Sequence, residues 1–148
     1  MPTARSASPS IDLRILLRGI GQIVLQANAL TGTLLLAALA LTDLRLACAA
    51  LLGSAAASMT AVLTGAVRHD VEQGLHGFNG ALAALALMSR GPRAALAGAA
   101  LAALIQWLTM RAGIPVFTAP FALASWVTVA VARRLTFGEP DVVIRTPS

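Results

Sequence analysis

The chain has 148 residues, 57% hydrophobic and only 11% charged, with a mean hydropathy of +0.79. Soluble domains carry about 25% charged residues, so this chain has too few polar groups to clothe a water-soluble globule of its size, and one integral membrane bundle is expected. The net charge of +5 comes from eleven basic residues, all arginine, scattered singly or in pairs between apolar segments; this excludes a nucleic-acid-binding stripe and fits membrane-boundary anchors.

Residues 1–13 form a polar N-terminal segment with Ser and Pro and no apolar run, so they do not read as a cleavable signal peptide. Charge-free windows then cover residues 19–42, 46–67, 73–89, 94–110 and 112–132. A spanning helix needs about 20 apolar residues, and four of these windows fit one span each. The first differs. It opens with Gly19, Gly21, Gln22, Gln26 and Asn28 and becomes cleanly apolar only from Leu34. Residues 14–27 are therefore predicted as a short re-entrant helix and residues 29–42 as the start of a proper span. The expected fold is all-α: a polytopic membrane bundle of about five transmembrane helices plus one short re-entrant pore helix. The membrane domain covers residues 14–135, and residues 136–148 form a polar C-terminal tail.

Small residues dominate several faces, as in Gly53-Ser54-Ala55-Ala56-Ala57-Ser58 and Ala94-Ala95-Leu96-Ala97-Gly98-Ala99-Ala100. In lipid, helices associate through close backbone approach at small residues, so these runs read as packing faces without chemistry. The single cysteine, Cys48, lies in an Ala/Leu-rich run and reads as a small buried hydrophobe. With an odd number of spans, Arg5, Arg14, Arg18, Arg68 and Arg111 fall on one side, and Arg45, Arg90, Arg93, Arg133, Arg134 and Arg145 on the other. Lys/Arg asymmetry normally sets orientation. Its near absence permits insertion in both directions.

The stretch Gly74-Leu75-His76-Gly77-Phe78-Asn79-Gly80-Ala81-Leu82 lies within the third window. Three glycines, an aromatic and an Asn are poor material for a lipid-facing helix, and irregular polar backbone at membrane depth is tolerated only beside protein or a water-filled path. Gln22 and Thr118 are further polar residues on Gly- or Pro-disrupted segments. Polar groups in membrane segments are costly unless paired, and they often mark solute paths. Pro120 is expected to free a backbone carbonyl near Phe117 and Thr118. Each polar residue alone reads as an interhelical hydrogen bond; the three together favour a pathway. None is ionised, so a passing ion finds no counter-charge. A small, neutral, polar, flat solute finds acceptors at Gln22, Thr118 and the freed carbonyl, with Phe78 and Leu82, one helical turn apart, as apolar walls. His76 has no second His or carboxylate at a helpful spacing in its segment.

In order, Arg18-Gly19-Ile20-Gly21-Gln22, Gly77-Phe78-Asn79 and Thr118-Ala119-Pro120-Phe121 resemble the three motifs found once in each half of the urea transporter family. Asn28, Leu30, Thr31 and Gly32 resemble the segment after the first motif. The resemblance covers roughly residues 14–135. It implies that oxygens of Gln22 and Thr118 align with urea N–H groups and that Phe78 and Leu82 line a narrow slot. The solute pathway it implies comprises Gln22, Leu25, Phe78, Asn79, Leu82, Thr118 and Phe121. Leu25 stands where the family often places an aromatic, and His76 where Tyr or Trp is common.

Family members contain two homologous halves of opposite orientation around a midplane site, a common transporter plan. This chain resembles one half. The resemblance therefore implies a homo-oligomer, an antiparallel dimer or a higher assembly of such dimers, or pairing with a separately encoded second half. The expected activity is passive, channel-like transport of urea or a close neutral amide across a bacterial inner (plasma) membrane, with no cofactor or metal. The alternative is a non-conducting assembly subunit. An intramembrane enzyme is not expected, because Cys48, His69 and His76 lack the company and spacing of a nucleophile–base pair or metal cluster.

Overall fold

The computed structural model describes residues 12–115 and 117–136; the expected polar N-terminal segment and C-terminal tail, with Arg5 and Arg145, lie almost wholly outside them. Among the described residues every regular element is helical. The elements are α1 (Leu13–Gly21), a 3-10 turn (Gln22–Val24), α2 (Ala29–Thr42), α3 (Leu44–Leu63), α4 (Arg68–Glu72), α5 (Gly77–Leu87), a second 3-10 turn (Met88–Arg90), α6 (Pro92–Arg111) and α7 (Ala119–Thr136).

Local chemistry sets the boundaries. The side chains of Asp12, Asn28 and Asp43 accept from the backbone N–H groups of Ile15, Leu30 and Arg45, and so cap α1, α2 and α3. Pro92 opens α6, where its missing N–H breaks no helical bond. Between α1 and α2 the chain breaks at Leu25, which adopts a left-handed φ of 61°, and the two helices are bent by 78°.

Helices α3 and α6 lie side by side and point the same way. Their beginnings, Asp43–Leu46 and Gly91–Pro92, line one pocket, and their ends, Gly65–Val67 and Trp107–Arg111, line another. Helix α5 runs back between them, from His76 at their ends to Leu85 at their beginnings. Helix α7 also runs opposite to α6: it starts beside Asn79 and brings Thr128 close to Gly98. The bent pair α1–α2 starts at the end side, where Ile15 packs with Ala61 and Val71. It finishes at the beginning side, where α2 leads directly into the first residues of α3.

The core is built of small side chains. Ala49, Ala84, Leu87, Ala95 and Ala99 form one cluster among α3, α5 and α6. Gly53 of α3 and Gly80 of α5 cross so closely that a Cβ on either would strike the other's carbonyl. Backbone approach of this kind is how helices gain contact in lipid.

Two helices, α3 and α6, are long and apolar enough to cross a membrane by themselves, or three spans result if the bent α1–α2 pair counts as one. The windows predict about five. The difference has a physical cause. Helix α5 has 11 residues, about 16 Å of rise, against a hydrocarbon core of about 30 Å. Its pass is completed by the irregular segment 73–76 and the second 3-10 turn. Helix α7 ends in Arg133 and Arg134, which dilutes its apolar character.

Cys48 is exposed on α3, which corrects the expectation of burial: in a membrane bundle a small apolar residue is as much at home facing lipid as facing protein. The arginines within the described residues sort as the windows predict. Arg14, Arg18, Arg68 and Arg111 lie toward the ends of α3 and α6, and Arg45, Arg90, Arg93, Arg133 and Arg134 toward their beginnings.

Candidate solute pathway

The three motifs converge on residues 73–79, the approach to α5. Gly74 holds a left-handed φ of 75°, and a Cβ there would meet the backbone of Arg18 and Gly19. Only glycine serves both the turn and the close approach. Gly19, Gly77 and the Ser54 hydroxyl meet next to it, and that hydroxyl donates to the Leu16 carbonyl at 3.1 Å. Ser54, read from sequence as packing alone, thus also fastens α1 to α3.

Gln22 is half-buried and donates from Nε2 to the Gln73 carbonyl at 3.3 Å. This uses the donor end of the side chain; the oxygen is the end expected to meet solute. The first motif thereby reaches the residue preceding the glycine stretch.

Asn79 is fully buried. Its Nδ2 donates to Gln106 Oε1 at 2.8 Å and to the Phe117 carbonyl at 3.1 Å. Gln106 Nε2 donates in turn to the Leu75 carbonyl at 2.7 Å. One continuous set of bonds therefore runs from the glycine stretch, through α6, to the residue before Thr118. The buried Oδ1 of Asn79 makes no hydrogen bond among the described residues.

Gln106 was missed by the sequence reading. It lies in an otherwise apolar helix and is 2% exposed. The signal that singled out Gln22, Asn79 and Thr118, a polar side chain at membrane depth, applies to it equally. It went unread because no Gly or Pro disrupts its neighbourhood.

Phe78, Leu75 and Gln106 line a pocket of about 390 Å³ with Met110, Gly113, Ile114 and Pro115. Among the described residues no ionisable side chain lines it. Leu82 is half-buried one turn beyond Phe78 on α5. Thr118 is exposed, and Phe117 beside it is 74% exposed.

The expected free carbonyl near Pro120 is not vacant. Pro120 is the second residue of α7, where a missing N–H costs no bond. The Phe117 carbonyl accepts from Asn79, and the Thr118 carbonyl accepts from Ala122 N at 3.2 Å. Asn79 is accordingly a strut between walls. Phe121 packs against Ala83, Ala102 and Ala124. Leu25 stands apart, 86% exposed at the break after the first motif. So the fold gathers Phe78, Asn79 and the Phe117–Thr118 pair and brings Gln22 to the same segment through Gln73, while Leu25 stays exposed at the break.

Chemically the described lining is an uncharged, largely apolar recess with the Gln106 amide at its edge. Residues 13–147 match the family model described as Urea transporter. No curated protein gives a significant match to the chain.

Proposed function

Because the chain belongs to the urea transporter family, and is thus an integral membrane protein of a family that transports urea, we propose that it conducts urea, or a close small neutral amide, passively through a slot completed by a second, antiparallel copy in a bacterial inner membrane. The observation that carries this reading is the Asn79 joint, which holds Phe78 and the Phe117–Thr118 pair as adjoining parts of one structure.

In this reading the Phe78 ring and Leu82 are flat apolar walls, and the Gln22 oxygen and Thr118 hydroxyl are acceptors for urea N–H groups. An ion entering such a path would shed water and find no opposite charge in the lining, at a cost of several kcal/mol. Urea exchanges each hydrogen bond for the next, so it can both enter and leave. Nothing in this scheme couples movement to a second solute, and net flow follows the gradient.

The need for a second wall follows from exposure. Thr118 and Phe117 lie open beside the segment that carries the proposed pathway residues. A copy inserted upside down would cover them with the same residues in reverse, as inverted repeats do. The near balance of arginines at the two ends permits that insertion.

The test is flux through the purified chain alone in proteoliposomes. A urea gradient is expected to relax faster than in protein-free vesicles, while glycerol and ion gradients do not. A chain that inserts and folds yet gives no acceleration would make it a non-conducting subunit or a half awaiting a separately encoded partner.

A further inference from the structure

A second recess, about 290 Å³, lies at the mouth of the bundle where α3 and α6 end. It is lined by Gly65, Ala66, Val67, Asp70, His76, Trp107, Met110 and Arg111. None of the sequence motifs points to it. It abuts the Phe78 pocket, for Met110 lines both.

Its chemistry differs from that of the pathway. His76 is 2% exposed, and its Nδ1 makes no hydrogen bond among the described residues. A buried ring nitrogen with no partner is costly and calls for one. Asp70, half-buried on α4, supplies a carboxylate to the same recess. Arg111 stacks its guanidinium over the Trp107 ring at 4.9 Å from the centroid, which fixes its orientation while leaving its N–H groups available around the rim. Val67 and Met110 complete an apolar floor. The recess thus offers acceptors at Asp70 and His76, donors at Arg111 and a flat aromatic side at Trp107. An anion would be opposed by Asp70 and a cation by Arg111. A neutral planar molecule with N–H donors at one end and a carbonyl at the other satisfies all of them.

We infer that the recess formed by Asp70, His76, Trp107 and Arg111 is an accessory binding site for urea or a similar neutral amide, set at one mouth of the bundle next to the Phe78 pocket. This rests on the proposed reading of the chain as a urea pathway, and it adds a capture site outside the slot. Urea N–H groups bond to the Asp70 carboxylate and to His76 Nδ1, the urea carbonyl accepts from Arg111, and the molecular plane lies toward Trp107. Loading this site raises the local concentration of solute beside the pathway.

The chain contains two tryptophans, so Trp126→Phe, on an exposed position of α7, leaves Trp107 as the sole reporter. In vesicle-embedded protein of that background, urea is expected to change Trp107 emission saturably. His76→Phe is expected to abolish the saturable part, and Arg111→Gln and Asp70→Asn to shift its midpoint upward by about two- to tenfold, the range of one hydrogen bond. A purely linear response, or an unchanged midpoint in the conservative Asp70→Asn and Arg111→Gln variants, would overturn the site. In flux assays the same two variants are expected to raise the half-saturating urea concentration more than they lower the maximal rate; the reverse pattern would also overturn it. Should the wild-type chain conduct no urea but still show the saturable Trp107 signal, the transport reading falls and the binding site stands.

Discussion

Asn79 donates its side-chain amide to the carbonyl of Phe117 at 3.1 Å, joining the first turn of α5 to the residue pair that precedes α7 across 38 positions of sequence. The other Nδ2 hydrogen goes to Gln106, so the amide has no donor left for a passing solute. Its contribution is geometric: Phe78 and the Phe117–Thr118 pair hold a fixed relation because both donor hydrogens of the side chain between them are committed.

Replacing Asn79 by Leu is expected to leave the Gln106 oxygen and the Phe117 carbonyl without their donor. A buried group stripped of its partner costs about 1–3 kcal/mol, moderated in lipid, where measured interhelical bonds average about 0.6 kcal/mol. Thermal unfolding in detergent should show a loss in this range for Asn79→Leu and for Gln106→Leu. The double variant should lose less than the sum of the two, since both delete one shared bond. Strict additivity would show that the two side chains act independently.

Gly74→Ala and Gly65→Ala separate two costs that glycine hides. Both residues have a left-handed φ, 75° and 73°, but a Cβ at Gly65 meets nothing within 4 Å, whereas at Gly74 it strikes the backbone of Arg18 and Gly19. Gly65→Ala is expected to cost about 1–2 kcal/mol, the left-handed penalty alone. Gly74→Ala adds overpacking of roughly 1–3 kcal/mol and should also depress urea flux by pushing α1 away from the start of α5. Equal unfolding temperatures for the two variants would mean that α1 yields at no cost.

Much of this arrangement is legible in the residues themselves. The break before α2 follows from Gly21, Gln26 and Asn28 interrupting an apolar run, and the gathering of Phe78 with the Phe117–Thr118 pair follows from polar groups at membrane depth needing partners. Helix length is less legible. Apolar composition reports depth in the membrane, and the turn at Gly74 takes residues 73–76 of the third window out of helix α5 without altering that composition. Cys48 fails for a related reason: facing lipid and facing protein favour the same apolar residue types, so hydrophobicity alone cannot orient it. Gln106 was readable on the same grounds as Asn79, since an isolated amide in an apolar helix must find a partner.

Thr118→Val tests the acceptor role apart from stability. Thr118 is exposed in one copy, and surface substitutions commonly change stability by within about 0.5 kcal/mol. Valine keeps the shape and removes the hydroxyl. The expected result is an unchanged unfolding temperature with urea flux reduced about tenfold, the equivalent of roughly 1.4 kcal/mol for one lost hydrogen bond. Thr118→Ser should restore most of the flux. Full flux in Thr118→Val would remove the hydroxyl from the pathway.

The proposed antiparallel pairing makes a prediction that parallel pairing cannot share. Arg14, Arg18, Arg68 and Arg111 lie at one end of the bundle and Arg45, Arg90, Arg93, Arg133 and Arg134 at the other, so neither end dominates orientation. A terminal tag is expected to be found on both membrane faces in comparable amounts. Adding two lysines beside Arg93 should bias insertion to one orientation, since extra positive charge holds an end in the cytoplasm, and urea flux should fall with it. A second copy carrying lysines beside Arg111 should restore flux when co-expressed, because the two biased populations then oppose each other. With Cys48, the single cysteine, replaced by Ser, cysteines introduced at Thr118 should cross-link two copies only when both orientations are present. Cross-linking and flux that persist in a uniformly oriented population would exclude an inverted partner.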